Sequence, residues 1–370
     1  MEWVHNLSLE STNVSPEFNI FQEDFRSAIQ EFITRSRLSD PFLQKFLTLV
    51  WIFFIASGLI SNSILILVIL TTPSLRSPNV LLLCNLFVAD VTYTLFSMPF
   101  TLTTILNRSW PLGKFLCKTI PFVQTNTAFV TAGTVTAIAI DRQHRIIGHG
   151  NRLHRSSFHR SSYGCRVSIV IWLISFAFSS PLLYFQSLKT LVRLDDNLSL
   201  DVCQETSDYQ RIRMVYHSMV YGFFIFVPTI SLAISYLRIR SFLKYNGLEK
   251  KRQTHFLHHS GVNSNQVSNL VKKFDFLQKE INCNTKVTII LFMGIFIYVI
   301  SWLPLCIYNL FLEFFSSSIR TSGSNITIIT TIFHVIAISS ATTNAFIYGY
   351  LNTNIQKELN SFFTKFNPFK

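Results

Sequence analysis

Charge is scarce in this chain. Acidic and basic residues fill 14% of its 370 positions, against about a quarter in a soluble globular domain. Glycine (12) and proline (11) are also few, while 49% of residues are hydrophobic. These shortages exclude a disordered, collagen-like or coiled-coil chain and argue against an ordinary cytosolic enzyme. Hydrolytic triad motifs, a Walker loop and zinc-finger spacing are missing too. One His255-Phe-Leu-His258-His259 run has the form of a single histidine box of membrane di-iron oxidases. Those enzymes need several boxes to supply enough imidazole ligands, so the run reads as solvated loop. The net charge of +13 suggests nucleic acid only if it is spread over a soluble surface, so its placement decides.

The apolar residues sit in long blocks. Phe46–Leu70 runs 25 residues without a charge, more than the ~20 needed to cross a hydrocarbon layer as helix. Asn79–Leu106 carries one charge, Asp90, and Thr119–Ile140, Val167–Leu188, Met214–Leu237, Val287–Leu312 and Asn325–Leu351 carry none. A helix on a soluble core would repeat a polar stripe every three to four residues, and these do not. The expectation is an all-α membrane protein, a seven-transmembrane bundle. It divides into an extracellular segment (1–45), the membrane domain (46–352, with a long third inner loop at about 243–283) and a short tail (353–370).

Orientation follows from the basic residues. With the amino terminus outside, the inner loops and tail hold 20 Lys and Arg against 5 Asp and Glu, a net of +15. The outer segments hold 12 against 13, a net of −1, and Asp90 completes the total of +13. Cytoplasmic loops collect Lys and Arg, so the excess lies inside and marks the lipid bilayer, with no nucleic-acid partner. Five Asn-X-Ser/Thr acceptors, Asn6, Asn13, Asn107, Asn197 and Asn325, all fall in segments assigned outside. Residues 1–45 show no cleaved signal peptide, so the first span is expected to serve as its own insertion signal. Past the seventh span, Ile355, Leu359, Phe362, Phe363 and Phe366 share one face, which predicts a short amphipathic eighth helix on the inner membrane surface.

Each span carries one distinctive polar or proline mark. In order these are Gly58-x-x-x-Asn62, Asn85-Leu-Phe-Val-Ala-Asp90, Asp141-Arg142, Trp172, Pro228 with Tyr236, Ser301-Trp302-Leu-Pro304 and Asn344-Ala-Phe-Ile-Tyr348. With these marks the chain resembles the rhodopsin-like (class A) G-protein-coupled receptors across all seven spans. Trp110-Pro-Leu-Gly-Lys-Phe-Leu-Cys117, Ile120-Pro-Phe-Val-Gln124 and Trp302-Leu-Pro-Leu-Cys-Ile-Tyr-Asn309 are similar to the neuropeptide Y, neuropeptide F and RFamide-type peptide receptors. The chain departs from that pattern at Gln143, where most members have Tyr or His, at Ser301, and at Ala345, where the family has Pro. Without Pro the seventh helix keeps a backbone N–H and loses an obligatory kink. A non-signalling decoy role therefore stays open, as does a receptor for a lipid or non-amidated peptide.

The resemblance implies a plasma-membrane receptor, not an enzyme, that binds an extracellular peptide and activates a heterotrimeric G protein, most often the inhibitory type, with arrestin as a further partner. It implies that Cys117 pairs with Cys203. It assigns switching and coupling to Asp141, Arg142, Tyr236, Trp302, Pro304, Asn344 and Tyr348, with the two tyrosines able to lean towards Arg142. Ligand contact falls to Gln124, Glu313 and His334: Gln124 stands where amine receptors carry an Asp, and it can both donate to and accept from an amidated peptide end. Glu313 matches an acidic position that pairs with a ligand Arg; read alone it is equally a solvated interfacial carboxylate. No bound cofactor is implied beyond an allosteric sodium ion at Asp90, Thr131, Ser340 and Asn344. The same oxygens serve equally as a helix-binding polar network with no ion.

Overall fold

The computed structural model describes residues 41–107, 109–147, 157–195, 198–206, 210–259, 289–290, 292–294, 296–314, 323–350 and 352–365. Asn6, Asn13, Asn197 and Phe366 lie outside the described residues, as does the side chain of Asn325.

Six of the described helices are long and apolar enough to cross a membrane: Pro41–Thr71, Pro78–Asn107, Tyr163–Phe185, Gln210–Phe242, Phe292–Phe314 and Ile328–Gly349. The helix Gly113–Ile147 is long enough, at 35 residues, but is less apolar than these. Its position explains why. It packs against the second, fourth and fifth spans, so its many threonines face protein. Thr127 and Thr134 return their hydroxyls to the carbonyls of Val123 (2.8 Å) and Val130 (2.6 Å). A hydroxyl satisfied within its own helix can be buried at little cost, because no donor is left in an apolar setting.

A polar bracket locks the second, third and fourth spans. Asn85 donates through Nδ2 to Thr134 Oγ1 (2.7 Å) and accepts from Trp172 Nε1 (2.9 Å). Below the middle of the bundle, Leu65, Val68, Ile69, Leu82, Leu86, Phe87, Val135 and Ile138 form one apolar cluster. A second cluster surrounds Trp302 with Trp51, Tyr93, Phe224 and Tyr298. Trp51 is wholly buried, and its Nε1 donates to the Met98 carbonyl at 3.0 Å.

The structure departs from the sequence reading in three places. The chain is not purely helical: the second outer loop folds into an antiparallel hairpin, β1 (Gln186–Asp195) and β2 (Leu198–Glu205). The fifth-span helix continues to His259, so residues 243–259 are helix and not loop. After Pro228 the helix interior has no proline, and the single Gly247 costs only about 1 kcal/mol relative to Ala, too little to end it. Third, the eighth helix, Thr353–Lys365, does not rest its apolar face on lipid alone. Ile355 and Leu359 are buried in the inner core cluster, Phe362 packs against it, and Phe363 is left exposed. Ser74 donates to Glu358 Oε1 (3.2 Å), tying this helix to the first inner turn.

Candidate functional site

Between the third, fifth and sixth spans lies a partly open cavity of about 70 Å³, lined among others by Gln124, Ala128, Tyr221, Phe224, Trp302 and Asn309. Trp302 is held edge-on to Phe224 at 5.2 Å and tilted against Tyr93 at 5.7 Å. Its Nε1 donates to Ser340 Oγ on the seventh span (3.1 Å). Gln124 Oε1 accepts from Ser97 (3.4 Å), which leaves its amide donor for an occupant. His334 is turned to its own helix, with Nδ1 at 2.9 Å from the Thr330 carbonyl, which assigns the proton to Nδ1. The structure thus brings Gln124 and Trp302 to one cavity and leaves His334 off its described lining.

The outer rim is fixed covalently. Cys117 at the head of the third span is bonded to Cys203 of β2. The Trp110 backbone N–H donates to the Asp201 carbonyl (2.7 Å), and its indole caps the Gly113 carbonyl (2.8 Å). Gly113 has φ 76°, a conformation that a side chain at that turn would strain.

Glu313 does not face open solvent. Its Oε1 accepts from Arg213 Nε at 2.8 Å, and the same Nε lies 3.1 Å from Glu205 Oε2. Arg213 Nη1 donates to the Thr206 carbonyl (2.9 Å). Glu205 also accepts from Gln186 Nε2 (3.1 Å) and meets His217 Nε2 at 2.9 Å. His217 stacks on Tyr221, whose hydroxyl accepts from Asn309 on the sixth span (3.3 Å). One arginine therefore joins the hairpin, the fifth span and the sixth. At an effective dielectric of ~20 each charge pair attracts by roughly 4 kcal/mol before desolvation is deducted.

One layer below the cavity, Asp90 is 4% exposed and its Oδ2 accepts from Asn344 Nδ2 (3.1 Å). Thr131 and Ser340 are buried as well. Asn62 donates to the Gly58 (2.8 Å) and Ala341 (3.2 Å) carbonyls, while its Oδ1 is buried with no hydrogen-bond partner.

At the inner end, Ala345–Tyr350 is wound as a π-helix. The seventh span is thus irregular even without the missing proline, because the wider i→i+5 turn supplies the distortion. This turn presses the Tyr348 ring against Gly294 of the sixth span, so closely that a Cβ there would overlap the ring and hydroxyl. Pro304 lies ten residues on, within the Phe292–Phe314 helix. Asp141 and Arg142 lie half-buried near the end of the third helix. Gln143 is buried and accepts from Ser235 (3.3 Å). Tyr236 is 47% exposed and stands edge-on to Phe292 of the sixth span. Asn107 ends the second-span helix, half-buried at the outer side.

A family model described as 7 transmembrane receptor (rhodopsin family) matches residues 61–348. The chain belongs to the rhodopsin family of seven-transmembrane receptors. It is a multi-pass membrane protein, and the less apolar Gly113–Ile147 helix is its third span. Relatives within this receptor family include the neuropeptide F receptor of Drosophila melanogaster, 27% identical over 342 residues, which cover 89% of this chain. The neuropeptide Y receptor type 2 of Homo sapiens is 28% identical over 340 residues, 90% of this chain and 79% of that protein. The neuropeptide Y receptor type 1 of Xenopus laevis is 26% identical over 310 residues. The chain spans 64% of the length of the fly receptor.

Proposed function

We propose that this rhodopsin-family receptor sits in the plasma membrane, amino terminus outside, and binds an extracellular, amidated, basic peptide of the neuropeptide Y/F kind. The observation that carries this reading is the vertical order of the site. Two carboxylates, Glu205 and Glu313, stand at the mouth, and Gln124 lies on the wall of the cavity that Trp302 closes below. The relatives, neuropeptide F and Y receptors, support the same ligand class. Glycans on Asn6, Asn13, Asn107, Asn197 and Asn325 belong to this orientation.

The work is a shift between two arrangements, with no covalent step. A peptide that fills the cavity and bonds Gln124 favours the arrangement in which Trp302 and Tyr348 move and the sixth span swings outward. A cleft then opens beside Asp141 and Arg142 for the carboxyl-terminal helix of a G protein of the inhibitory type, with arrestin as a later partner. A cell assay with a panel of amidated Arg-Phe and Arg-Tyr peptides tests this. The expected result is a saturable response that Glu313→Ala right-shifts, by about 1.5–3 kcal/mol for a charge-assisted contact. Silence across the panel with a response to a lipid would replace the ligand class.

Asp90, Thr131, Ser340 and Asn344 fit a sodium ion, and Asn62 Oδ1 adds a buried acceptor without a donor. A bound ion would supply a positive charge that makes Asp90 tolerable inside the membrane. Purified receptor should melt higher in sodium chloride than in N-methylglucamine chloride, by about 1.4 kcal/mol at tenfold over the dissociation constant. Asp90→Asn should abolish the difference. Equal melting of the unmodified receptor in both salts would leave only the helix-binding network.

A further inference from the structure

The guanidinium of Arg213 occupies the place at Glu313 that a ligand cation needs. It reaches there from the first turn of the fifth-span helix, three residues after Gln210. Its Nε donates to Glu313 (2.8 Å) and lies 3.1 Å from Glu205 Oε2 as an ion pair, and Nη1 donates to the Thr206 carbonyl. All three charged side chains are less than a fifth exposed, so water screens them poorly. With the His217 imidazole on Glu205 neutral, two carboxylates against one guanidinium leave the group one negative charge in excess. The mouth attracts cations while its strongest acceptor is already engaged.

We infer that Arg213 is an internal competitor for the cationic end of the ligand and so a specificity-determining residue of this receptor. The inference rests on the peptide reading and deepens it. An incoming arginine binds Glu313 by exchanging one guanidinium for another. The gain is a difference between two similar pairs, and the site discriminates by geometry as well as by charge. A guanidinium matches a carboxylate through two parallel N–H donors, whereas a lysine ammonium is a strongly hydrated point charge. The exchange therefore selects arginine over lysine. It also has a mechanical consequence, because Arg213 ties β2 and the fifth span to the sixth one turn outside the Tyr221–Asn309 bond. When it leaves Glu313, the outer end of the sixth span loses that tie, and the contact that recognises the ligand is also the one that frees the helix.

The test does not need the natural peptide. Purified receptor is melted with and without millimolar L-argininamide or L-lysinamide, for the unmodified chain, Arg213→Gln, Arg213→Lys and Arg213→Gln/Glu313→Gln. L-argininamide is expected to stabilise Arg213→Gln with an apparent affinity about tenfold above that for the unmodified receptor. The effect should be smaller with L-lysinamide and absent in the double variant. Arg213→Lys, which keeps a charge but not the fork, should fall between, and it decides the matter if Arg213→Gln does not fold. Equal shifts in the unmodified and Arg213-substituted receptors, or a shift that survives loss of Glu313, overturn the inference. Failure of the whole peptide panel to evoke a response would count against the peptide reading and leave this argininamide pattern to stand or fall by itself.

Discussion

Cys203→Ser should remove most of the receptor from the cell surface and lower the melting temperature of what remains. The bond it breaks closes an 86-residue separation between the head of the third span and β2. A loop of that size closed from a random chain would give a little under 5 kcal/mol, but most of these residues are inserted helix in either state. The entropy released is therefore smaller, and about 2–4 kcal/mol is expected. The damage should be local to the rim. Glu205 lies two residues beyond Cys203 and holds its place against Arg213 and His217 only while β2 is tethered. Cys117→Ser should match Cys203→Ser within error, and the double variant should be no worse than either, since all three lose the same bond. Surface counts by an antibody to an amino-terminal tag, with thermal unfolding of purified protein, give the comparison. Undiminished surface expression would show that the hairpin is held without the disulfide, by backbone bonds such as those of Asp201 to Trp110 and Thr206 to Phe185.

Gly294→Leu should raise ligand-independent signalling. The Tyr348 ring occupies the space where a side chain at residue 294 would start. Tyr348 is 2% exposed, so the ring is enclosed by protein and cannot swing out into solvent. Overpacking of this kind costs about 1–3 kcal/mol, and the chain relieves it by moving Tyr348 away or by moving the sixth span outward. Either movement separates the inner ends of the sixth and seventh spans, the direction assigned to activation. A bias of about 1.4 kcal/mol changes a two-state population tenfold while the favoured form is rare. Basal nucleotide exchange should rise several-fold at equal surface density. Gly294→Ala, which adds the one carbon that overlaps the ring, should rise less. Basal activity unchanged in both variants would mean that the Tyr348 contact is packing without a role in the switch.

The seven spans were legible because hydrocarbon imposes a length and a composition that few other settings demand. The polar third span shows the limit of that signal: its threonines satisfy themselves within the helix, so apolarity alone undercounts the bundle while block length and the absence of charge do not. The pairing of Cys117 with Cys203 was legible through resemblance, and the structure contains it. The hairpin was not: Leu198-Ser-Leu-Asp-Val202 alternates, but its partner Gln186–Asp195 does not keep a two-residue period, and the pairing is broken by two register shifts. Residues 243–259 read as loop from their charge, yet a helix already running from Gln210 extends through polar residues once nucleated.

The site divides in the same way. Gln124 and Trp302 reach one cavity, as motif positions can suggest. Arg213 escaped notice because its partners, Glu205 and Glu313, are 8 and 100 residues away in sequence, and only the fold brings the three together. A signal was present: two arginines, Arg211 and Arg213, precede the fifth span on the side where basic residues have no topological reason to collect. Gly294 carried no signal at all, since its meaning lies in a ring from another helix.

The most direct test is nucleotide exchange by a purified heterotrimeric G protein of the inhibitory type, with this receptor in lipid discs and the amidated Arg-Phe and Arg-Tyr peptides added singly. At least one peptide should accelerate exchange saturably, and Arg142→Ala should reduce the acceleration to the level of empty discs. A correctly folded receptor, shown by a cooperative melt, that accelerates exchange with no peptide of the panel would contradict the account.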